Sequence, residues 1–436
     1  MSGVLAWLAA LAMASPGDAA SPAALRLSTA ASTPTATHVP SADENPPFAE
    51  GLGLAAVPTL AFNSDEGFGT GGVATLYHRG GGVLPYRNAW TLRIFISTRL
   101  VQAHSLTWDA VRPADLPLRA IARAGFYSTI TQNYCGVGNA VRCELRHAER
   151  AADAASLPRG SDERESFIRH YYQLRFLRFF GDAFGRWRLR ELPHRIELVA
   201  GWRGAYYWPG EFFHAGPYPG SLYAVDHPAG EEGYSNQFLG GVIADDRDHE
   251  TYPTRGYLTQ VVLRGATRLL GSTWEYGGLM VDAAWFHALL PHQRLVLALR
   301  VLGDGVLGNP PVDEMARVGG ILDAIAFGGQ ALGRGIREHR YVGKLKLIHQ
   351  LELRSQLVDV TVLEQDLSFG GALFYDLAWI GYDVEELRGE PRTLLGGAGI
   401  SFRFIWNRDF IVRTDVAVSP LERFAPGIYI IVGNVF

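Results

Sequence analysis

Residues 328–340, GGQALGRGIREHR, set four glycines and three arginines in one stretch, and apolar strand-like sequence resumes directly after it. Guanidinium groups on so pliable a backbone need anions, either carboxylates of the same fold or phosphates outside it. A second cluster, DDRDHETYPTRG from Asp245, brings Asp245, Arg247 and Asp248 close to Pro253 and Gly256. It reads as a turn network in which side chains bond the local backbone. A Ca²⁺ site is the other reading of those carboxylates, but the spacing is not that of an EF-hand, and no metal ligand set is assigned. The only two cysteines, Cys135 and Cys143 in NYCGVGNAVRCE, have a glycine-containing spacer that lets them meet. A disulfide is expected in an exported chain, since no further Cys or His stands nearby at zinc-ligand spacing.

The sequence holds no catalytic constellation of a known type. Thirteen histidines are present, yet there is no serine nucleophile elbow, no H-E-x-x-H and no defensible grouping of His, Ser and acid. The chain is expected not to be an enzyme and to need no cofactor.

Composition narrows the class further. Forty basic and 44 acidic residues give a formal net charge of −4, without the basic excess that nucleic acid demands, so nucleic acid is set aside. Hydrophobic residues make up 47%, which fits a soluble protein or a barrel of alternating strands. After the N-terminus no uncharged apolar stretch reaches the roughly 18 residues a spanning helix needs, so any crossing is by strands. The opening MSGVLAWLAALAMAS is an apolar run ending in small residues, with Ala12-Met13-Ala14 as an A-x-A-like cleavage site. Residues 1–20 are therefore expected to be a signal peptide, although no Lys or Arg precedes the run. Residues 21–50, rich in Ala, Ser, Thr and Pro, are expected to be a disordered linker.

From there to Phe436 the pattern is that of one barrel domain, 51–436. Runs of about ten residues alternate with period two, the length that crosses a bilayer when tilted. In one of them Lys344, Lys346, Gln350, Glu352 and Arg354 share a face opposite Leu345, Leu347, Leu351 and Leu353. In another, Arg413 and Asp415 share a face opposite Val412, Thr414 and Val416. Aromatic clusters such as AYYW, YSNQF and FRFIW stand near strand ends, as the girdles at membrane interfaces do. The fold class predicted is all-β, a transmembrane antiparallel β-barrel of about 16 strands. They start near Ala55 and finish at Phe436, the last in the strand GIYIIVGNVF. Long connections fall on one side (about 132–164, 208–233 and 304–340), and short ones such as RGGGVLPYR and LLPHQ on the other.

Four stretches in order, FNSDEGFGTGG from Phe62, DDRDHETYPTRG, GRGIREHRYVGK from Gly333 and FYDLAWIGYD from Phe374, resemble the BamA/TamA-type family of outer-membrane assembly and translocation barrels, also called bacterial surface antigens. The resemblance is strongest from about Asp245 to Phe436. It implies that the sixth extracellular loop folds into the lumen and that an arginine at its tip pairs with acids of the barrel wall. The matching positions are Arg334 and Gly335 in the loop, with Asp376 and Glu352 as acids. Alternation places both acids on the lumen face. A carboxylate left unpaired there would cost about 3 to 5 kcal/mol. Three positions depart from the family pattern, namely Gly333, Ile336 and Ala378. The other reading of Arg334, Arg337 and Arg340 is a solvated patch facing lipopolysaccharide phosphates. The DDRD segment becomes a periplasmic turn, and Phe436 a C-terminal signal read by the assembly machinery that would insert this chain.

The resemblance implies a bacterial outer-membrane protein that assists insertion or translocation of client outer-membrane or secreted proteins, with membrane lipids as its surroundings. About fifty low-complexity residues precede the first strand, where no POTRA domain fits. Client capture would then fall to the barrel, to the seam between its first and last strands, or to a separate partner. The alternative is a passive pore or structural barrel without client activity.

Overall fold

Alternation decides which way each side chain points, and the fold follows from it. The computed structural model describes residues 50–64, 66–83, 86–139, 141, 143–189, 194–208, 216–290, 294–321, 327–362, 365–388, 394–406, 410–432 and 435–436. The expected signal peptide, and the linker up to residue 49, lie outside them. Sixteen long antiparallel strands follow one another: β1 (Gly51–Asn63), β2 (Gly67–Arg79), β3 (Asn88–Ser97), β4 (Gln102–Val111), β5 (Leu118–Asn133), β6 (Gln173–Leu189), β7 (Ile196–Tyr207) and β8 (Gly233–Asp245) make one half. The other half is β9 (Gly256–Ala266), β10 (Tyr276–Ala288), β11 (Leu295–Gly308), β12 (Leu345–Val362), β13 (Gln365–Gly381), β14 (Leu395–Trp406), β15 (Phe410–Val418) and β16 (Gly427–Val432). A two-residue strand, Gly216–Pro217, adds to the edge of β6.

Each strand pairs with its sequence neighbours, and β1 pairs with β16, so the sheet closes into a barrel. Closure removes the free edges that an open sheet would leave unpaired. On β12 the residues Lys346, Ile348, Gln350, Glu352 and Arg354 are buried inward, whereas Leu347 on the other face is 53% exposed. The same rule turns Leu263, Leu279, Val301, Leu373 and Phe402 outward. Such an apolar outer face with a polar interior inverts a soluble barrel.

The ladders are unequal. All 13 residues of β1 pair with β2, but among the described residues its pairing with β16 consists of Phe62 opposite Ile430 and Asn63 opposite Tyr429. The first strand begins at Gly51, ahead of the predicted Ala55, because pairing with β2 carries GLGLAAV into the sheet despite its glycines and alanines. The last strand is described over Gly427–Val432, and Phe436 stands outside any strand.

Long connections gather at one end of the barrel and short turns at the other. Residues 134–172 carry α1 (Leu145–Ala154) and α2 (Asp162–His170). The Ser161 hydroxyl caps α2 by accepting from Arg164 N, and acids fill its first turn. Residues 208–232 carry α3 (Leu222–Asp226), and residues 309–344 carry α4 (Val312–Ala316). The last of these connections enters the lumen. Its Val318, Ile321, Phe327, Leu332, Ile336 and Tyr341 form an apolar core with wall residues that include Phe184, Leu239, Met280, Leu302 and Ile380.

Candidate functional site

The loop 309–344 is held in the lumen by buried charge as well as by that apolar core. Arg334 is fully buried and so are the acids around it. Its Nε and Nη2 donate to the two carboxylate oxygens of Asp376, each at 2.9 Å, and its backbone N donates to Asp376 Oδ2 at 2.9 Å. Its Nη1 donates to Glu352 Oε1 at 2.7 Å and to Asp415 Oδ2 at 3.4 Å. The guanidinium also lies 3.5 Å from the centroid of the Phe374 ring. β12, β13 and β15 each supply one acid, because positions 352, 376 and 415 are inward positions of their strands.

Glu352 has more than one cation to balance. Arg354 Nε donates to its Oε2 at 2.8 Å and Arg403 Nη2 at 2.6 Å, while Arg413 Nη1 stands 3.1 Å from Asp415 Oδ2. Four guanidinium groups thus share three carboxylates within one buried cluster. A charge so placed is tolerated only while its partners stay in register.

Two glycines let the loop come this close. Gly335 has φ +88, and a Cβ there would sit 2.9 Å from backbone atoms of Val418. On the wall, a Cβ at Gly397 would sit 2.0 Å from the carbonyl oxygen of Arg334. Tyr429 Oη accepts from Gly335 N at 3.2 Å, which ties the loop tip to β16.

Residues 218–418, which contain this loop and all three acids, match the Omp85 superfamily domain. Comparison with solved structures agrees on the fold. The chain is similar to BamA from Haemophilus ducreyi lacking POTRA domains 1-3, at 12% identity and a TM-score of 0.52, with 88% of this chain and 70% of that one covered. It is also similar to CdiB from Escherichia coli, at 10% identity and a TM-score of 0.55, covering 87% of this chain but only 62% of CdiB. No curated protein matches.

Earlier in the loop a second charged anchor repeats the design. Arg264 donates to Asp304 Oδ1 at 2.7 Å and to Glu314 Oε1 at 2.8 Å, and Lys346 Nζ donates to Asp304 Oδ2 at 3.1 Å. Gln237 Nε2 donates to Glu314 Oε2 at 3.0 Å. Arg203, itself bonded to Asp182, donates to the carbonyls of Gly320 and Ile321 at 3.1 Å. Near the loop end, Arg340 pairs with Glu422 at 2.5 Å, whereas the side chain of Arg337 is 65% exposed. Arg337 also reaches Glu422, at 3.6 Å, so two of the three arginines of the glycine-rich stretch share one carboxylate and Arg334 has a set of its own.

His339 is buried in the same loop. Burial, helped by Arg317 and opposed by Asp313, pushes its imidazole down from 6.5 to about 4. The disulfide between Cys135 and Cys143, with Cα atoms 5.4 Å apart, closes a small loop. That loop lays Val137 beside Val342 and donates Gly138 N to Val342 O at 2.8 Å.

The DDRD segment is a turn between β8 and β9. Arg247 donates Nε and Nη2 to the two oxygens of Asp245 at 2.8 and 2.9 Å. Asp248 accepts from Thr254 N at 2.9 Å and Arg255 N at 3.1 Å. Pro253 is buried and Gly256, at φ +98, opens β9. Phe436 lies elsewhere than a strand end. Its carbonyl oxygen accepts from Arg354 Nη2 at 2.9 Å, and its ring faces Phe286 at 6.0 Å between centroids and lies 5.0 Å from the Arg354 guanidinium.

Sequence reasoning missed Asp415, Arg403 and Arg413 as members of the cluster. Alternation had set Arg413 and Asp415 on one face, which is the available signal, but the distance across the lumen is not written in a single strand.

Proposed function

We propose that this Omp85 barrel resides in the bacterial outer membrane and assists the insertion or translocation of proteins there. The observation that carries the reading is the seam, where two residue pairs join β1 to β16 beside a ladder of 13 between β1 and β2. Among the described residues no further pair joins the two strands, and that edge of β1 is offered to another strand by β-augmentation. The pinned loop supports the reading from the other side, since Gly335 is bonded to Tyr429 on β16. Arg334, Gly335, Glu352 and Asp376 are assigned the task of holding the loop, and Asp245, Arg247, Asp248, Pro253 and Gly256 that of shaping a periplasmic turn. Phe436 keeps its assignment as an assembly signal, and residues 1–20 theirs as the export signal. Outer-membrane lipids contact the apolar outer face, and clients are outer-membrane or secreted polypeptides. No enzymatic step is part of the reading.

Reconstitution in lipid vesicles tests it, with wild type beside Arg334→Ala and Asp376→Ala, scored for ion conductance and for the folding rate of an added outer-membrane protein. Faster client folding, lost in both variants, is the expected result. Conductance alone, unchanged by the substitutions, would leave a passive pore on the same scaffold.

A further inference from the structure

Residues directly opposite one another in a ladder share a face, so the inward face of the wall can be followed outward from the loop. Arg203 donates to loop carbonyls, and from it the register runs through Asp182, Arg123 and Thr107 to Thr91. Arg93, two residues on from Thr91 in β3, therefore points into the lumen. The other face of β3 carries Trp90, Leu92, Ile94 and Ile96, between 37% and 49% exposed, as an apolar face turned to lipid is.

On this wall Arg93 has no acid to itself. β1 to β4 hold one carboxylate, Asp109, and it is taken. Arg119 donates to its two oxygens at 3.0 and 2.6 Å, and Tyr86 Oη donates to Oδ2 at 2.9 Å. Asp109 stands opposite Ala89, four residues from Arg93. Directly opposite Arg93 are Val73 and Ser105, and among the described residues no hydrogen bond or ion pair holds its guanidinium. Its side chain is exposed, and so is Ala55 at an inward position of β1, whereas Met280, Asp304, Gln350 and Glu352 at inward positions of β10 to β12 are buried. The loop thus fills one side of the lumen, and the wall made by β1 to β4 stays accessible to water.

The neighbouring ion pairs lean the same way. The Arg123 side chain is 27% exposed in front of an Asp182 that is 1% exposed, and that of Arg119 is 33% exposed beside an Asp109 at 15%. Cationic ends meet the water and their acids lie behind them. A charge at membrane depth is tolerated where it faces a water-filled cavity, and there it marks a pathway. Low-dielectric walls focus its field along the passage, which at about 0.1 M salt reaches roughly 10 Å. Arginines and lysines that line a pore favour anions. We infer that the lumen side of β1 to β4 is an anion-selective water path and that Arg93 sets its preference for small inorganic anions such as chloride. This needs the barrel to stand in a membrane and is independent of whether it inserts clients.

Planar-bilayer recordings of the full chain across a KCl gradient test this. The reversal potential of the wild type should show chloride passing in preference to potassium. Arg93→Gln should lower that preference severalfold, and Arg93→Glu should turn it towards potassium. Arg337→Gln, which removes an exposed cation beside Glu422, should leave it unchanged. Potassium preference in the wild type, no KCl current, or a preference that Arg93→Glu does not move would overturn the inference. Should Arg93→Glu fail to fold, thiol labelling gives a second readout. The two native cysteines are joined to each other, so Thr91→Cys supplies the sole free thiol, two residues from Arg93. In vesicles it should react severalfold faster with an anionic methanethiosulfonate than with a cationic one of similar size, and Arg93→Gln in that background should remove most of the difference. Equal rates with Arg93 in place, or a difference that survives its replacement, would refute the role of Arg93. Client folding in the vesicle assay without chloride preference would defeat this inference and leave the insertion reading standing.

Discussion

Arg334 and Asp376 are joined at three points: Nε and the backbone N of Arg334 both donate to Asp376 Oδ2, and Nη2 donates to Oδ1, all at 2.9 Å. One carboxylate thus fixes both the fork of the side chain and the path of the loop backbone.

Removing the guanidinium should therefore free the loop. Arg334→Ala leaves Asp376, Glu352 and Asp415 short of a cation and should cost about 3 to 5 kcal/mol in stability. Arg334→Lys keeps the charge but cannot form the planar two-point bond, and should recover only part of the loss. Thermal unfolding in micelles, with limited proteolysis at residues 327–342, measures both, and wild-type resistance in Arg334→Ala would falsify the charge-anchored loop.

Glu352 should prove more sensitive than Asp415. It accepts from Arg334, Arg354 and Arg403 at 2.6 to 2.8 Å, whereas the contacts of Asp415 with Arg334 and Arg413 are 3.4 and 3.1 Å. Glu352→Gln keeps the shape and leaves four guanidinium groups to two carboxylates. The expected order of unfolding temperatures is wild type, then Asp415→Asn, then Glu352→Gln. Pairing Glu352→Gln with Arg403→Met should restore part of the loss, because the second change removes a stranded cation.

Gly335→Ala should displace the loop without touching any charge. The backbone there is at φ +88 and the new methyl would meet Val418, a combination worth about 1 to 3 kcal/mol for the backbone strain alone. Loss of the protease-resistant loop fragment at unchanged barrel content is the expected signature, read by digestion and circular dichroism.

Loop docking should weaken in acid. His339 sits neutral in the docked loop, at about 4 instead of 6.5, so the released loop binds a proton more readily than the docked one. Its contribution is fully present above about pH 6.5 and is lost as pH falls towards 4. Exchange of amides 327–342 followed from pH 7 to 4.5, with rates corrected for intrinsic pH dependence, should show this loss. His339→Gln should flatten it, and a slope that survives the substitution assigns the effect to another group.

Much of the barrel was legible because period two is a property of each strand alone. The inward set Lys346, Gln350, Glu352 and Arg354 could be read from one run of residues, and so could the long loop that ends at it. Arg334, Glu352 and Asp376 were reached through the resemblance, with alternation supplying the face. Asp415 and Arg403 were not, because their membership depends on curvature that carries β14 and β15 round to face the loop. The place of Phe436 outside the last strand was also hidden. An apolar, alternating sequence runs on to Phe436, and only the chance to bond Arg354 and face Phe286 sets that residue apart.

The long loop also decides where the cylinder is stiff. Its bonds reach β7, β8 and β9, then β11 through Gly319 N donating to Asp304 Oδ2 at 3.4 Å, and β12, β13, β15 and β16, so it braces that arc from within like a strut. Those bonds do not reach the arc from β1 to β4, which keeps its curvature by its ladders and by cross-strand pairs such as Thr75 with Thr91 and Trp108 with Asn88. Lateral load on the ring should therefore flatten that arc first, and the yielding wall ends at Phe62 and Ile430, where the fewest bonds resist a tear.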